Sequence, residues 1–372
     1  MSPAPCRFCK SVRGEIVLDT GLQPACDDFP PVDQVEVEAV HPVQLWLCAD
    51  CGLAQLVEDP TEPDEPRGVE PLALVRQAEA AVAGVAAAGL LPAGGTVVEH
   101  GSPHGGSWLG LLADRGIRET TGPADVVLDC FGLMHDADTR EALERRVAEL
   151  APDGVLLVQF HSLEAVLAMG QWNAVRHGHP VYLSTPAMTG MLAGVGLTVV
   201  HAWRFDLYGG TVLLAARRSG IPDASVAELT AREVAAGVLD PAVVRRLDAE
   251  ARTSAVSLRG WLETAKAEGH RIVGYSAASR AVPLLNVAGV GPDLMEAIGD
   301  ASTAKHGRRI PGVRIPIVDP VALLSEGPLD VVLFVPDLLD EVRDRFPQVE
   351  RAGGRWVLFE PEPRVALRKE TH

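Results

Sequence analysis

Residues 96–108, TVVEHGSPHGGSW, indicate a buried strand that runs into a glycine-rich turn. A strand followed by such a turn is typical of nucleotide-type sites in doubly wound α/β sheets, where the backbone must approach a ligand closely. The same turn also suits a tight strand-to-helix connection that binds nothing. The sequence leaves both interpretations open.

Strand and helix patterns alternate on both sides of this stretch. Within residues 72–217, strands are expected at DVVLDCF, VLLVQF and TVLLAARR, and helices lie between them. This alternation predicts an open, doubly wound sheet with antiparallel pairing near its end. An acidic, proline-rich segment at 58–71 precedes this block, and a second α/β pattern follows it. We therefore predict three domains, at residues 1–57, 72–217 and 218–372.

Two CxxC motifs, about forty residues apart, dominate the first block; they comprise Cys6, Cys9, Cys48 and Cys51. Each motif turns two thiolates toward one point, and the two together provide the tetrahedral sulfur site that suits Zn²⁺. Because four protein ligands leave no open position, this zinc is expected to be structural. The alternative is four unconnected core cysteines.

The bulk properties narrow the range of partners. A formal charge of −17 argues against nucleic acid and anionic membranes. The start of the chain has no apolar signal segment, and its longest apolar run is too short to cross a bilayer, so we expect a cytoplasmic protein. A small-molecule substrate and a monomer or homodimer fit this composition.

Six histidines follow predicted strands at the edge where α/β sheets bind ligands. They are His100, His104, His135, His161, His177 and His179. Neutral imidazole is the commonest metal ligand, so the pattern predicts a second metal site. The alternatives are ordinary loop histidines, or a general base at His179.

Seven stretches follow one another along the chain: CRFCK, LWLCADCGLAQL, VVEHGS, RHGHPVYLS, YGGT, GYSAASRAVPLLN and KHGRRIPGVRIPI. Their order resembles that of the bacterial sugar C-methyltransferases. The resemblance implies a zinc-ribbon-like domain, a class I methyltransferase-type (Rossmann-like) sheet and a second Rossmann-like α/β domain. It also implies C-methylation of a keto-deoxysugar nucleotide in natural-product biosynthesis, in which an enolate takes the methyl group of S-adenosylmethionine (SAM).

The resemblance carries roles to particular residues. Those that it implies for SAM binding are Glu99, Gly101, Ser102, Gly105 and His135. Those that it implies for catalysis are His177, His179 and Tyr182.

The sequence departs from the family pattern in the SAM loop, in the catalytic run and in the length of the methyltransferase sheet, and the acidic segment 58–71 replaces the Tyr-rich stretch that usually joins the first two domains. The SAM loop E-x-G-S-N-D-G is EHGSPHG at 99–105, and the run Y-H-E-H is RHGH at 176–179. Only about twenty residues separate the glycine turn from the strand DVVLDCF, so we predict that the second and third strands of the methyltransferase sheet are deleted. The acidic residue that would bind the SAM ribose is then missing.

Three functions remain open. The first is SAM-dependent C-methylation of a keto-sugar nucleotide. The second is a SAM-independent enzyme that uses the histidines for enolisation, elimination or metal-assisted chemistry. The third is a non-catalytic scaffold.

Overall fold

A computed structural model describes residues 5–61, 70–102, 105–359 and 361–367, and its strands form three sheets. The strands are β1 (Gly14–Pro24), β2 (Val40–Cys48), β3 (Ala54–Leu56), β4 (Thr96–Gly101), β5 (Arg118–Glu119), β6 (Ala124–Cys130), β7 (Leu150–His161), β8 (Val181–Tyr182), β9 (Thr198–Phe205), β10 (Thr211–Arg217), β11 (Ile272–Tyr275), β12 (Ile298–Gly299), β13 (Ile317–Val318), β14 (Asp330–Leu333), β15 (Arg355–Phe359) and β16 (Pro363–Val365).

Helices connect most of these strands. They are α1 (Leu72–Ala87), α2 (Leu109–Ala113), α3 (Thr139–Ala148), α4 (Leu163–Ala168), α5 (Thr185–Gly194), α6 (Ala224–Ala235), α7 (Pro241–Val244), α8 (Arg246–Ala267), α9 (Ala281–Ala288), α10 (Pro320–Leu323), α11 (Leu339–Arg345) and α12 (Gln348–Arg351). Short 3₁₀ turns lie at Leu133–His135, Trp172–Ala174, Leu207–Gly209, Thr303–Lys305 and Pro336–Leu338. Among the described residues, no helix is both long and apolar enough to cross a membrane.

The first sheet is antiparallel and carries the cysteine motifs. Its order is β1-β2-β3-β8, so a strand from the middle of the chain completes it. Ala54 pairs with Tyr182 across the last two strands. The zinc-ribbon-like unit is therefore joined by backbone pairing to the loop that carries the RHGH run.

The second sheet has the order β5-β4-β6-β7-β10-β9. Its first four strands run parallel, and β10 lies antiparallel between β7 and β9. Strands β6 and β7 are mainly buried, as expected for apolar strands that are covered on both faces. This arrangement confirms the predicted class I methyltransferase-type sheet and its antiparallel end.

The predicted deletion of the second strand was wrong. Arg118 and Glu119 form β5, which pairs in parallel with Thr96 and Val97 of β4. Because the strand is only two residues long, local pattern did not reveal it. No further strand lies beyond β5 in the described part of this sheet, so the third strand expected of a methyltransferase-type sheet is absent there.

The third sheet belongs to the C-terminal α/β unit and has the order β13-β12-β11-β14-β15-β16. All its strands are parallel except β16. Asp240 caps α7 by accepting a hydrogen bond from the Ala242 backbone, and Pro241 is the first helical residue. The sheet confirms the second Rossmann-like unit, while the three domain boundaries stay predictions.

The packing places two sheet edges face to face. A buried apolar cluster that includes Leu45, Trp172, Leu258 and Ile310 joins the first sheet to the C-terminal unit. A separate cluster fills the second sheet. The carboxyl ends of the second and third sheets meet across the space between these cores, where α/β folds bind ligands.

Candidate functional site

The four cysteines of the CxxC motifs form one cluster. The Sγ atoms of Cys6 and Cys51 lie 3.5 Å apart, and those of Cys9 and Cys48 lie 3.6 Å apart. All four sulfur atoms lie within 4.8 Å of one another. A tetrahedral zinc with Zn–S bonds of about 2.3 Å places its sulfurs roughly 3.8 Å apart, so the cluster fits the ion.

Local backbone geometry produces this cluster. Lys10 directly follows the first motif. Its backbone has a positive φ of 61°, and its amide donates a hydrogen bond to the Cys6 carbonyl oxygen. In the second motif the Gly52 amide returns to the Cys48 carbonyl oxygen, with φ of 72°. Each turn directs two sulfurs to the same side, and the pairing of β1 with β2 brings the two turns together.

A cavity of about 320 Å³ lies between the second and third sheets. Four of its lining residues, Ser102, Phe131, Ser276 and Asp300, directly follow the last residue of a strand. The carboxyl ends of parallel strands from the second and third sheets therefore line one cavity. Its volume is at the lower end of the range for small-molecule sites, roughly 300–1,000 Å³.

The glycine loop forms part of one wall, but its polar groups are largely committed to the protein. Glu99 accepts hydrogen bonds from the Trp108 amide and the Ser107 hydroxyl, so its carboxylate is bound to the two residues that precede α2. The Ser102 amide donates to the Cys130 carbonyl oxygen, and the Gly105 amide donates to the Ser102 carbonyl oxygen. Ser102 and Gly105 line the cavity, whereas Glu99 and Gly101 do not.

The two histidines of the RHGH loop lie in different surroundings. His179 lines the cavity, and its Nε2 lies 3.0 Å from a terminal nitrogen of Arg176. His177 is buried away from the cavity, where its Nε2 donates to the Pro42 carbonyl oxygen at 3.4 Å. Burial lowers the pKa of His177. The first sheet therefore accommodates His177, which is not part of the cavity wall.

Tyr182 lines the cavity, but its hydroxyl supports the backbone of the same loop. It accepts from the Arg176 amide at 2.9 Å and lies 3.2 Å from the Ala174 carbonyl oxygen. Burial raises the pKa of this phenol. The geometry gives Tyr182 a role in holding the loop.

His135 lies beside His179 in the cavity wall, and the two ring centroids are 4.6 Å apart at a right angle. A buried ion pair fixes the turn that carries His135. Asp129 is fully buried, contacts Arg146 at 2.5 Å, and accepts backbone hydrogen bonds from Gly132 and Leu133. Sequence spacing did not reveal this support, because Asp129 lies inside an apolar strand.

The other predicted histidines do not form one metal site with these two. The His100 ring contacts Glu149, and His161 Nε2 donates to the Tyr208 carbonyl oxygen at 3.0 Å. His161 lines the cavity, where burial lowers its pKa to about 3. His104 lies outside the described residues. Among the residues that the structure describes, the only group gathered as metal ligands is the cysteine cluster.

The C-terminal unit adds cationic side chains to the opposite wall, namely Arg280, Lys305 and Arg345. Lys305 is buried and lies over the Phe29 ring, with its Nζ 4.5 Å from the ring centroid. The Asp300 carboxylate accepts from the Ala277 and Ser302 amides. Sequence reasoning missed Arg280 and Arg345, because no motif marks cations that lie far apart in the sequence and come to one cavity only in the folded C-terminal unit.

Comparison with known proteins agrees with this architecture at both ends of the chain. A family model described as "C-methyltransferase C-terminal domain" matches residues 206–361, and one described as "Putative zinc binding domain" matches residues 6–65. Together they match more than half of the chain. At its two ends the chain is therefore similar to the zinc-binding and C-terminal domains of C-methyltransferases. The resemblance drawn from the sequence motifs is thereby confirmed.

One curated relative is the C-methyltransferase NovU of Streptomyces niveus, which is 28% identical over 245 residues. The match covers 65% of this chain and 58% of the relative, so the chain spans less than two thirds of that protein.

Solved structures overlap the chain more loosely. The 1,6-didemethyltoxoflavin-N1-methyltransferase of Burkholderia thailandensis is 18% identical with a TM-score of 0.29, over 41% of this chain and 80% of that one. The magnesium protoporphyrin IX methyltransferase of Synechocystis PCC 6803 is 14% identical with a TM-score of 0.29, over 40% of this chain and 84% of that one.

Proposed function

We propose that this chain is an enzyme that removes a proton beside the carbonyl group of a small anionic substrate. The observation that carries the proposal is the pair His135 and His179, which meet in the cavity between the second and third sheets. A positioned imidazole is the commonest group for proton transfer near neutral pH. Loss of a proton beside a ketone is the first half of the reaction that the family resemblance implies.

The opposite wall supports an anionic substrate. Arg280, Lys305 and Arg345 bring three cationic side chains to the cavity, although the chain as a whole is acidic. Such groups suit the diphosphate of a nucleotide-linked sugar. The substrate class that best combines this charge with an enolisable carbon is a keto-deoxysugar nucleotide of natural-product biosynthesis.

The described residues do not fit SAM at the glycine loop. The Ser102 and Gly105 amides donate within the protein, so they do not present an anion-binding turn. Pro71, Leu74 and Phe131, which line the cavity here, offer a methionine carboxylate no charge partner.

The ribose side of the loop departs from the family pattern as well. Glu119 pairs beside Val97, which is four residues before Gly101, and a strand rises about 3.3 Å per residue. The backbone of Glu119 therefore lies roughly 13 Å before the level of Gly101 along the strand direction, whereas an acidic residue that binds the ribose lies at the end of the second strand.

SAM-dependent C-methylation is the second candidate function. The matches to C-methyltransferase domains and one observation favour it: Ser102 and Gly105 line the same cavity as the two histidines. A methyl donor at the loop would therefore share the cavity with a substrate at His135 and His179.

Deuterium exchange tests the first proposal. A keto-deoxysugar nucleotide is incubated with the full chain in D₂O without SAM, and NMR follows the protons beside the carbonyl. We expect enzyme-dependent exchange at one carbon. Absence of both exchange and substrate binding at millimolar concentration would refute the proposal.

Calorimetry with SAM, followed by mass analysis of the product, separates the two candidates. No SAM binding at millimolar concentration, together with exchange, identifies the proton-transfer enzyme. Micromolar SAM binding and a product heavier by one methyl group identify the methyltransferase instead.

A further inference from the structure

The partners of His135 determine which of its nitrogens carries a proton. Its Nδ1 lies 2.7 Å from the Gly178 carbonyl oxygen. A carbonyl oxygen only accepts hydrogen bonds, so Nδ1 carries the proton and donates it. In the neutral ring the lone pair then lies on Nε2, which is 3.4 Å from the hydroxyl of the cavity residue Ser102.

His179 has the opposite relation to its neighbour. Its Nε2 lies 3.0 Å from a terminal nitrogen of Arg176. A guanidinium group only donates and stays protonated, so Nε2 accepts and the proton of the neutral ring lies on Nδ1. The Nε2 lone pair of His179 is therefore occupied by a hydrogen bond from a cation.

Arg176 is held firmly in this position. Its side chain is 9% exposed and lies 3.3 Å from the Asp27 carboxylate of the zinc-ribbon-like unit. The same guanidinium contacts the Cys26 sulfur at 3.3 Å and the His177 carbonyl oxygen at 3.2 Å. Movement of Arg176 away from His179 would break several buried contacts, so the hydrogen bond to Nε2 is a built feature of the site.

We infer that His135 is the general base of the cavity and that His179 is a neutral hydrogen-bond donor to the substrate carbonyl. This assignment rests on the proposed proton-transfer function and reverses the expectation that His179 is the base. Two rings 4.6 Å apart can contact neighbouring atoms of one substrate. Arg176 acts as a positioning residue, because it touches His179 and fixes which nitrogen of that ring donates.

The step balances with these two rings alone. His135 Nε2 takes the proton from the carbon beside the carbonyl, and the C–H electron pair becomes the carbon–carbon double bond of the enolate. The carbonyl π pair moves onto oxygen, which accepts a hydrogen bond from His179 Nδ1–H. Donors of this kind stabilise the charge that develops on oxygen in the transition state. Return of a proton or deuteron from His135 to carbon completes the exchange.

The protonation pattern can be measured without any substrate. Long-range ¹H–¹⁵N NMR of the full chain labelled at histidine reports which ring nitrogen carries the proton. We expect the Nδ1–H form at both positions, and the change Arg176→Met should alter the signals of His179 but not those of His135. A proton on His135 Nε2 in the neutral ring would overturn the assignment, whatever the substrate proves to be.

Paired substitutions test the roles during turnover. Glutamine can donate a hydrogen bond but cannot act as a base, whereas alanine can do neither. At position 135 we therefore expect both His135→Gln and His135→Ala to slow deuterium exchange by roughly 10²–10⁴-fold. At position 179 we expect His179→Gln to stay within about tenfold of the parent rate and His179→Ala to lose about 10²–10³-fold.

The matched control is His201→Gln on β9, outside the cavity, which should leave the exchange rate unchanged. The reverse pattern, in which glutamine is tolerated at position 135 and not at position 179, would overturn the assignment. Absence of exchange in the parent protein would instead count against the proposed function. The NMR measurement of which ring nitrogen carries the proton needs no substrate. It therefore distinguishes a wrong assignment of the two histidines from a wrong proposed function.

Discussion

Replacing Arg146 with methionine should destabilise the second sheet strongly, because it leaves a fully buried carboxylate without its cation. Arg146 and Asp129 are 2% and 0% exposed, and their side chains meet at 2.5 Å. Breaking a buried ion pair from one side costs about 3–5 kcal/mol. For a domain of this size we expect the melting temperature to fall by about 6–20 °C.

The loss of stability in the Arg146→Met variant should depend on pH. Burial already raises the pKa of Asp129, and the Arg146 guanidinium opposes that shift, so the change Arg146→Met raises this pKa further. A carboxyl with a raised pKa in the folded state contributes stability below its unfolded pKa of about 3.9 and loses that contribution as pH rises. The variant should therefore be less destabilised at pH 5 than at pH 8. Thermal denaturation followed by circular dichroism at both pH values measures the difference.

Two controls make the test specific. Arg145→Met removes a 47% exposed arginine on the same helix and should cost less than about 1 kcal/mol. The double variant Asp129→Asn with Arg146→Met removes both charges and should recover much of the loss. The reasoning fails if Arg146→Met behaves like Arg145→Met, or if the double variant is no more stable than Arg146→Met.

Three further predictions concern the zinc cluster and the RHGH loop. The parent should bind one zinc per chain by elemental analysis, while Cys48→Ser should bind less and unfold at lower temperature; equal zinc content would contradict the cluster. Tyr182→Phe leaves the Arg176 amide without its 2.9 Å acceptor, so calorimetric stability should fall by about 1–3 kcal/mol; an unchanged melting temperature would remove its supporting role. Asp59→Ala removes the acceptor of the 2.7 Å hydrogen bond from the Gly178 amide, and exchange should slow by about tenfold or more at constant zinc content. An unchanged exchange rate would show that this contact does not position the loop.

Local pattern was sufficient where the structure depends on near neighbours. The CxxC spacing predicted the cysteine cluster, since each turn needs only four consecutive residues to direct two sulfurs together. Apolar runs predicted the buried strands β6 and β7. The same approach missed β5, because a two-residue strand has no periodicity.

The candidate site was predicted less completely. The position of the six histidines after strands placed them near one sheet edge, but ring direction depends on partners far away in sequence. His177 turns to Pro42 of the first sheet, whereas His135 meets the Gly178 carbonyl oxygen of the RHGH loop. The sequence did not predict the cationic wall as one surface, because Arg280, Lys305 and Arg345 lie far apart in the sequence and meet only in the folded C-terminal unit.

The sequence by itself determined the four-cysteine cluster, the α/β class of the two larger units and the resemblance to C-methyltransferases. Only the tertiary structure decided that His135 and His179 share a cavity and which partner each ring has. The physical reason is that strand and turn patterns follow from neighbouring residues. The protonated nitrogen of an imidazole is instead set by a donor or acceptor, such as Arg176 or the Gly178 carbonyl, that folding brings beside it.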